Sequence, residues 1–179
     1  MFGIFVNENG CIHYAQLIVK GYKPIETRNR NMLKSLVGER VAIIRTRRGK
    51  SPMVVGYATI TAAVFHTKEE MEALRGLTLI PEGSEYDCKG RGKWCYYLDN
   101  PEVCEAYPLP QDRINHGRSY CEFTKWYAVM ENQEDSDWGR GNYSLEEAKE
   151  MCTGSEAYIA VISEGNDSIC IREITQDEF

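Results

Sequence analysis

Apolar residues come in short clusters along this chain, and their period changes from cluster to cluster. Phe2 to Val6, FGIFV, reads as a short strand. In Ile12 to Lys20 the residues Tyr14, Leu17 and Ile18 fall at i, i+3 and i+4, the stripe of an amphipathic helix. Gly21 supplies the left-handed stop that such a helix favours, and Pro24 pushes Lys23 into an extended conformation that begins a strand. NMLKSLVG, residues 31–38, predicts a helical turn closed by Gly38, and Val41 to Ile44 a short apolar strand. Met53 to Phe65 is a long β-branched run interrupted by Gly56, where a barrel strand would bend. KEEMEALR, residues 68–75, predicts a short charged helix. Residues 76–92 read as loop, with GSEYDCKGRG its most flexible part. Trp94 to Leu98 and Val103 to Tyr107 read as two strands joined around Asn100-Pro101.

The last third has its own pattern. Trp126 to Met130 predicts a strand, and a polar loop follows. Ser144-Leu145-Glu146-Glu147 matches a capping box that starts a helix to about Cys152. Ala157 to Ile162 and Ile169 to Ile174 pair as a hairpin across Glu164 to Asp167. Many short strands with few helices predict an α+β chain. We expect a small, mostly antiparallel β-barrel or sandwich over residues 1–124. Residues 125–179 would be a strand–helix–hairpin appendage packed on it, too small for a core of its own.

Composition narrows the class without naming a function. A chain of 179 residues, 42% hydrophobic and 27% charged, has the make-up of an ordinary globular protein. No apolar run approaches about 18 residues, and MFGIFVNENG lacks the basic start and apolar stretch of a signal peptide. A cytoplasmic protein without membrane contact is expected. Seven cysteines, an odd number without a CxxC pair, read as reduced thiols, so no metal and no cofactor is expected. The net charge of -6 conceals a step: residues 1–124 balance at +3 and residues 125–179 at -9. The acidic region would repel a phosphate backbone and could aid solubility or meet a protein partner. Any nucleic-acid contact belongs to the first region.

The stretch GYKPIETR, residues 21–28, sets a lysine, a glutamate and an arginine on the start of a strand. Alternation gives Lys23, Ile25 and Thr27 one face and Glu26 and Arg28 the other, the latter two roughly 7 Å apart. Two cations with one carboxylate suit a polar, partly anionic ligand that carries a hydrogen-bond donor, such as a nucleobase joined to a phosphate. YAQLIVKGYKPIETR resembles the signature of ASCH domains, a helix ending in GxKxxExR, with Gly21, Lys23, Glu26 and Arg28 at those positions. Leu36 to Val41 resembles the family's turn into the next strand, Val55 to Ala58 the strand after it, and WCYYLDNPEVCEAYPLP its closing strands. The resemblance spans roughly residues 2–124. It implies a PUA-like barrel with a cleft lined by Lys23, Glu26 and Arg28, and RNA or a nucleotide-like small molecule as ligand.

The same resemblance implies an alternative. The acetylcytidine amidohydrolase branch keeps the motif lysine and uses a threonine three residues later with a separate glutamate. Here the third position after Lys23 is Glu26, and the nearest threonine, Thr27, shares a face with Lys23. A ribonuclease is the other enzyme reading, with Lys23 as general base and Glu26 as its electrostatic partner. As an enzyme, the chain would therefore use Lys23, Glu26 and Thr27.

Arg45-Thr46-Arg47-Arg48-Gly49-Lys50 carries four cations between two predicted strands. They are Arg45, Arg47, Arg48 and Lys50, a candidate phosphate-gripping loop or a solvated hairpin tip. Gly49-Lys50-Ser51 is not a P-loop, because the upstream glycine would fall at Ile44. Lys89 to Trp94 combines cations, glycines and an aromatic, the ingredients of a backbone contact with base stacking, although Trp94 fits a core position better. His116 and Cys121 could form a nucleophilic pair, without an identifiable orienting group. Glu134, Asp135 and Asp137 lack EF-hand spacing and read as a solvated acidic loop.

Overall fold

The computed structural model describes residues 1–8, 12–109 and 113–123, together with the strands Trp126–Met130, Tyr158–Ser163 and Ile169–Ile174. The capping-box helix and the acidic loop of Glu134, Asp135 and Asp137 lie outside the described residues. The chain divides into two compact units, Met1–Pro108 with Ile114–Glu122, and Leu109–Arg113 with Phe123–Phe179.

The first unit is a mixed seven-stranded sheet with short helices against it. In chain order it runs β1 (Phe2–Asn7), α1 (Tyr14–Val19), β2 (Ile25–Arg28), a 3-10 turn (Lys34–Leu36), β3 (Arg40–Arg47) and β4 (Lys50–Thr67). Then come α2 (Lys68–Ala73), α3 (Arg75–Thr78), β5 (Gly92–Pro108), β6 (Ile114–His116) and β7 (Tyr120–Glu122). The strand order is β2-β5-β4-β3-β1-β7-β6, and only β1 with β3 runs parallel. Among the described residues no backbone ladder closes the sheet into a barrel. It curls instead until edge strand β2 reaches β1, where the Arg28 guanidinium donates from Nη2 to the Phe5 carbonyl. The seam is closed by a side chain, because β2 is only four residues long.

Two predicted elements differ in the structure. Residues 94–98 and 103–107 are one strand, β5, not a hairpin. Tyr57 opposes Glu102 and Thr59 opposes Asp99, so Asn100 and Pro101 face a single residue of β4. This bulge absorbs the proline, which has no N–H for a ladder, and Asn100 takes a positive φ of 49° to turn through it. The segment expected to be loop from residue 76 begins with α3.

The sheet's inner face is filled by α1. Tyr14, Ala15, Ile18 and Val19 pack on Ile4, Val6, Val41, Ile43, Val55, Ala58 and Ile60, with Tyr96 fully buried among them. The approach is close because position 56 is glycine: a Cβ there would stand 2.1 Å from the Glu102 carbonyl oxygen and 2.7 Å from Val19 Cγ1. Ile25, Met71, Cys88 and Cys95 form a smaller apolar cluster where α2 meets the sheet. Burial pushes the Cys95 thiol up to about 11, so it is a packing residue at neutral pH.

Within the second unit, Trp126–Met130 (β8), Tyr158–Ser163 (β9) and Ile169–Ile174 (β10) form an antiparallel sheet in the order β10-β9-β8. The predicted strand and hairpin are both present. No helix among the described residues is long and apolar enough to cross a membrane.

Candidate functional site

The end of α1 sets the first side chain in place. Gly21 adopts φ +77°, which lets the backbone reverse, and the N–H groups of Tyr22 and Lys23 both donate to the Leu17 carbonyl at 2.9 and 3.0 Å. Lys23 is thereby turned inward and is 2% exposed. Its Nζ donates to the carbonyls of Ile25 (2.5 Å) and Thr78 (2.8 Å) and lies 3.5 Å from Glu26 Oε2. All three ammonium hydrogens therefore have protein acceptors. The ammonium also sits 5.5 Å from the Tyr14 ring centroid. Burial lowers the Lys23 pKa, and the neighbouring Glu26 carboxylate offsets part of that shift.

Glu26, also buried, takes Lys23 on one oxygen and Arg28 Nη1 on the other. Arg28 further reaches the Thr27 carbonyl at 3.2 Å and the Phe5 carbonyl. The three charges of the motif thus meet inside the fold. Pairing with β5 sets Glu26 opposite Tyr96 and Thr27 opposite Cys95, so alternation holds along β2, and Thr27 still borders the same cleft.

That cleft has a volume of about 50 Å³ and is bounded by Lys23, Glu26, Arg28, Tyr14, Tyr86 and Lys93. The two tyrosine rings meet edge to face with centroids 5.7 Å apart, and Asn7 Nδ2 donates to the Tyr86 hydroxyl at 2.9 Å. Burial raises the pKa of both phenols, which stay protonated. Three cations face one carboxylate.

Tyr14 and Tyr86 do not stand out as site residues in the sequence, and Lys93 does so only as one cation of the Lys89–Trp94 segment. Lys93 belongs to the segment read as a backbone-contacting stretch. Here it is 6% exposed and donates from Nζ to the Tyr86 carbonyl. Its pKa is lowered by burial, against which Cys88, Glu26 and Asp87 pull upward. The local pattern does not place it beside the motif; the β2–β5 register, which sets Arg28 opposite Trp94, brings it there. Trp94 is half-buried and packs edge to face on Phe65, 5.8 Å between centroids, at the core margin.

The basic segment is mostly strand. Arg45 and Arg47 are on β3 and Lys50 opens β4, so only Arg48 and Gly49 form the turn. Arg45, Arg47 and Lys50 line a shallow groove of about 290 Å³ with Ser51 and Met53, and Arg48 stands outside its lining. Arg47 is not a free cation: its Nε is 2.7 Å from Glu8 Oε2 and its Nη2 2.7 Å from His13 Nδ1. The groove and the cleft flank one strand end, since Asn7 borders the cleft while pairing with Thr46 of β3. His116 and Cys121 are not brought together. The β6–β7 register sets His116 against Tyr120, on which it stacks at 4.8 Å, and Cys121 against Asn115.

No family model matches this chain. No curated protein matches it either. Solved structures do, and all three compared are of an ASCH protein from Zymomonas mobilis. A serine-to-alanine variant aligns at 21% identity and a TM-score of 0.52, over 68% of this chain and 88% of its own. The crystal structure of the same ASCH protein gives 22% identity and 0.49 over 60% and 73%. A tyrosine-to-phenylalanine variant gives 24% and 0.48 over 60% and 76%. The likeness read from the motif is matched by a likeness of fold.

Proposed function

We propose that this chain is an RNA- or nucleotide-binding protein of the ASCH type whose ligand enters the cleft of Lys23, Glu26 and Arg28. The observation that carries the reading is that cleft: three cations against one carboxylate, walled by two tyrosines, at the motif where a helix meets a curled sheet. Residues 1–124, read as a PUA-like barrel, would carry the binding in the cytoplasm. Residues 125–179 would form an acidic appendage open to a protein partner. Arg45, Arg48 and Lys50, with Arg47 held by Glu8, would follow a phosphate backbone past the end of β1. Fluorescence anisotropy with labelled single-stranded RNA tests this. Binding at low salt that weakens steeply as salt is added is expected. No binding at any salt removes the reading and favours an interaction module acting through the acidic region.

A second reading is a hydrolase acting on a modified nucleoside or on RNA. Lys23, Glu26 and Thr27 border one cleft, and the lowered Lys23 pKa is the direction that a general base requires. Against it, the Lys23 ammonium spends all three donors on the protein. Incubation with acetylcytidine and with labelled RNA decides. Turnover that is lost in Lys23→Ala and Thr27→Val, both still folded, would replace the binding reading.

A further inference from the structure

Among the cations of the cleft, the N–H donors left unspent belong to Lys93 and Arg28. Lys23 has none left, and both Glu26 oxygens are already paired with cations. Of Lys93's three N–H groups, one goes to the Tyr86 carbonyl, leaving two without a partner among the described residues. Arg28 uses two on Nη1 and one on Nη2, leaving Nε and one Nη2 hydrogen. Four N–H donors, on two cations that line the cleft, thus have no partner among the described residues. Leaving such a group unsatisfied is costly, and an acceptor-only anion removes that cost.

We infer that Lys93 and Arg28 form a seat for a phosphate monoester, a group the ASCH-type motif itself does not include Lys93 to hold. This rests on the RNA or nucleotide reading and names the part of the ligand that enters. Size agrees. A cleft of about 50 Å³ holds about four water-sized groups, which matches one phosphate. Whole small-molecule ligands occupy about 300–1,000 Å³, so the base and sugar stay outside. Charge agrees as well: among the lining residues, three cations less one carboxylate leave two formal positive charges, the complement of a monoester dianion, with Glu85 and Asp87 farther out. The phosphate could come from a nucleic-acid terminus or from free inorganic phosphate.

Calorimetric titration of the full chain separates these sources. The probes are a mixed-sequence RNA octamer with a 5′-phosphate, the same octamer with a 5′-hydroxyl, and inorganic phosphate. The phosphorylated octamer is expected to bind about tenfold or more tightly than its hydroxyl counterpart. That gap should close in Lys93→Gln and be retained in Lys93→Arg, which distinguishes lost charge from lost folding. Two octamers that bind equally in every variant overturn the seat and leave RNA binding standing. Inorganic phosphate bound in a Lys93-dependent way, with neither octamer bound, keeps the seat but overturns the RNA reading. No binding of any probe overturns both.

Discussion

The cleft's two walls each carry a buried lysine, and the two are in opposite states. On the β2 wall, Lys23 is fully satisfied by two carbonyls and a carboxylate, and it fastens the end of α3 to β2 through the Thr78 carbonyl. On the β5 wall, Lys93 is nearly as buried yet has one hydrogen bond. The motif lysine holds the site together, and the lysine outside the motif has donors to give. Burial alone therefore does not mark a ligand residue; unspent capacity does. Lys23→Met should cost about 3–5 kcal/mol in urea unfolding, because it strips a partner from buried Glu26 and orphans two carbonyls. Lys93→Met should stay within about 1 kcal/mol of the native chain, since it removes an under-bonded buried charge. Equal losses in the two variants would erase the distinction.

The β2 wall is only as firm as the helix behind it, and that helix rests on Gly56. A methyl at position 56 would meet the Glu102 backbone carbonyl, which cannot swing aside as a side chain would, and the Val19 side chain of α1. Gly56→Ala should cost about 1–3 kcal/mol in the same unfolding measurement. A neutral Gly56→Ala would show that α1, and with it the turn into Lys23, is held by other contacts.

The two walls also differ in how much of each could be read from the chain. The β2 wall was legible because its parts are local: the stripe of α1, the glycine stop and the motif charges lie within sixteen residues, Tyr14 to Arg28 with His13 as cap. Their convergence follows from a six-residue helix running directly into a strand. The β5 wall comes from a strand some 65 positions later, and only the pairing register brings Lys93 beside Arg28. A regular pairing between strands so far apart leaves no local signal, and a bulge against β4 hid the length of β5 itself. The Asn100-Pro101 insertion reads as a turn in sequence, yet the sheet absorbs it and β5 continues past. The basic segment is a hairpin tip, one of its two readings, but the tip is shorter than the run of cations suggests, because β3 continues through Arg45 and Arg47 to pair with β4.

Lys93 offers a further contrast with an ordinary surface lysine through pH. Burial and the nearby Arg28 lower its pKa from 10.5, against the upward pull of Cys88, Glu26 and Asp87. Below 10.5 there is then a window in which the unfolded chain still holds this proton and the folded chain releases it. Across that window rising pH favours folding but removes a positive charge from the cleft. Affinity for the 5′-phosphorylated octamer should therefore fall as alkaline pH rises towards 10.5, while the phosphate stays dianionic. A several-fold loss is expected, and Lys93→Arg should flatten it. An affinity constant across that range in the native chain would place the anion away from Lys93.

The smallest expected effects belong to the basic hairpin, where exposure and pairing decide each residue's weight. Each contact to a single-stranded phosphate contributes about -0.7 to the slope of log affinity against log salt. Replacing Arg45 and Lys50 together by alanine should reduce that slope by roughly 1.4 if both touch the backbone. Arg47 should behave differently. It is the partner of Glu8, whose side chain is 1% exposed and whose Oε1 has no hydrogen bond of its own. Arg47→Ala would leave that carboxylate buried without its cation, so the substitution should lower stability more than it changes the salt slope. A double variant Arg47→Ala with Glu8→Gln recovers the stability and isolates the contact. If its slope then falls by as much as that of Arg45→Ala alone, Arg47 grips the backbone despite its pairing. If the slope is unchanged, Arg47 serves the fold and the phosphate track runs along Arg45, Arg48 and Lys50.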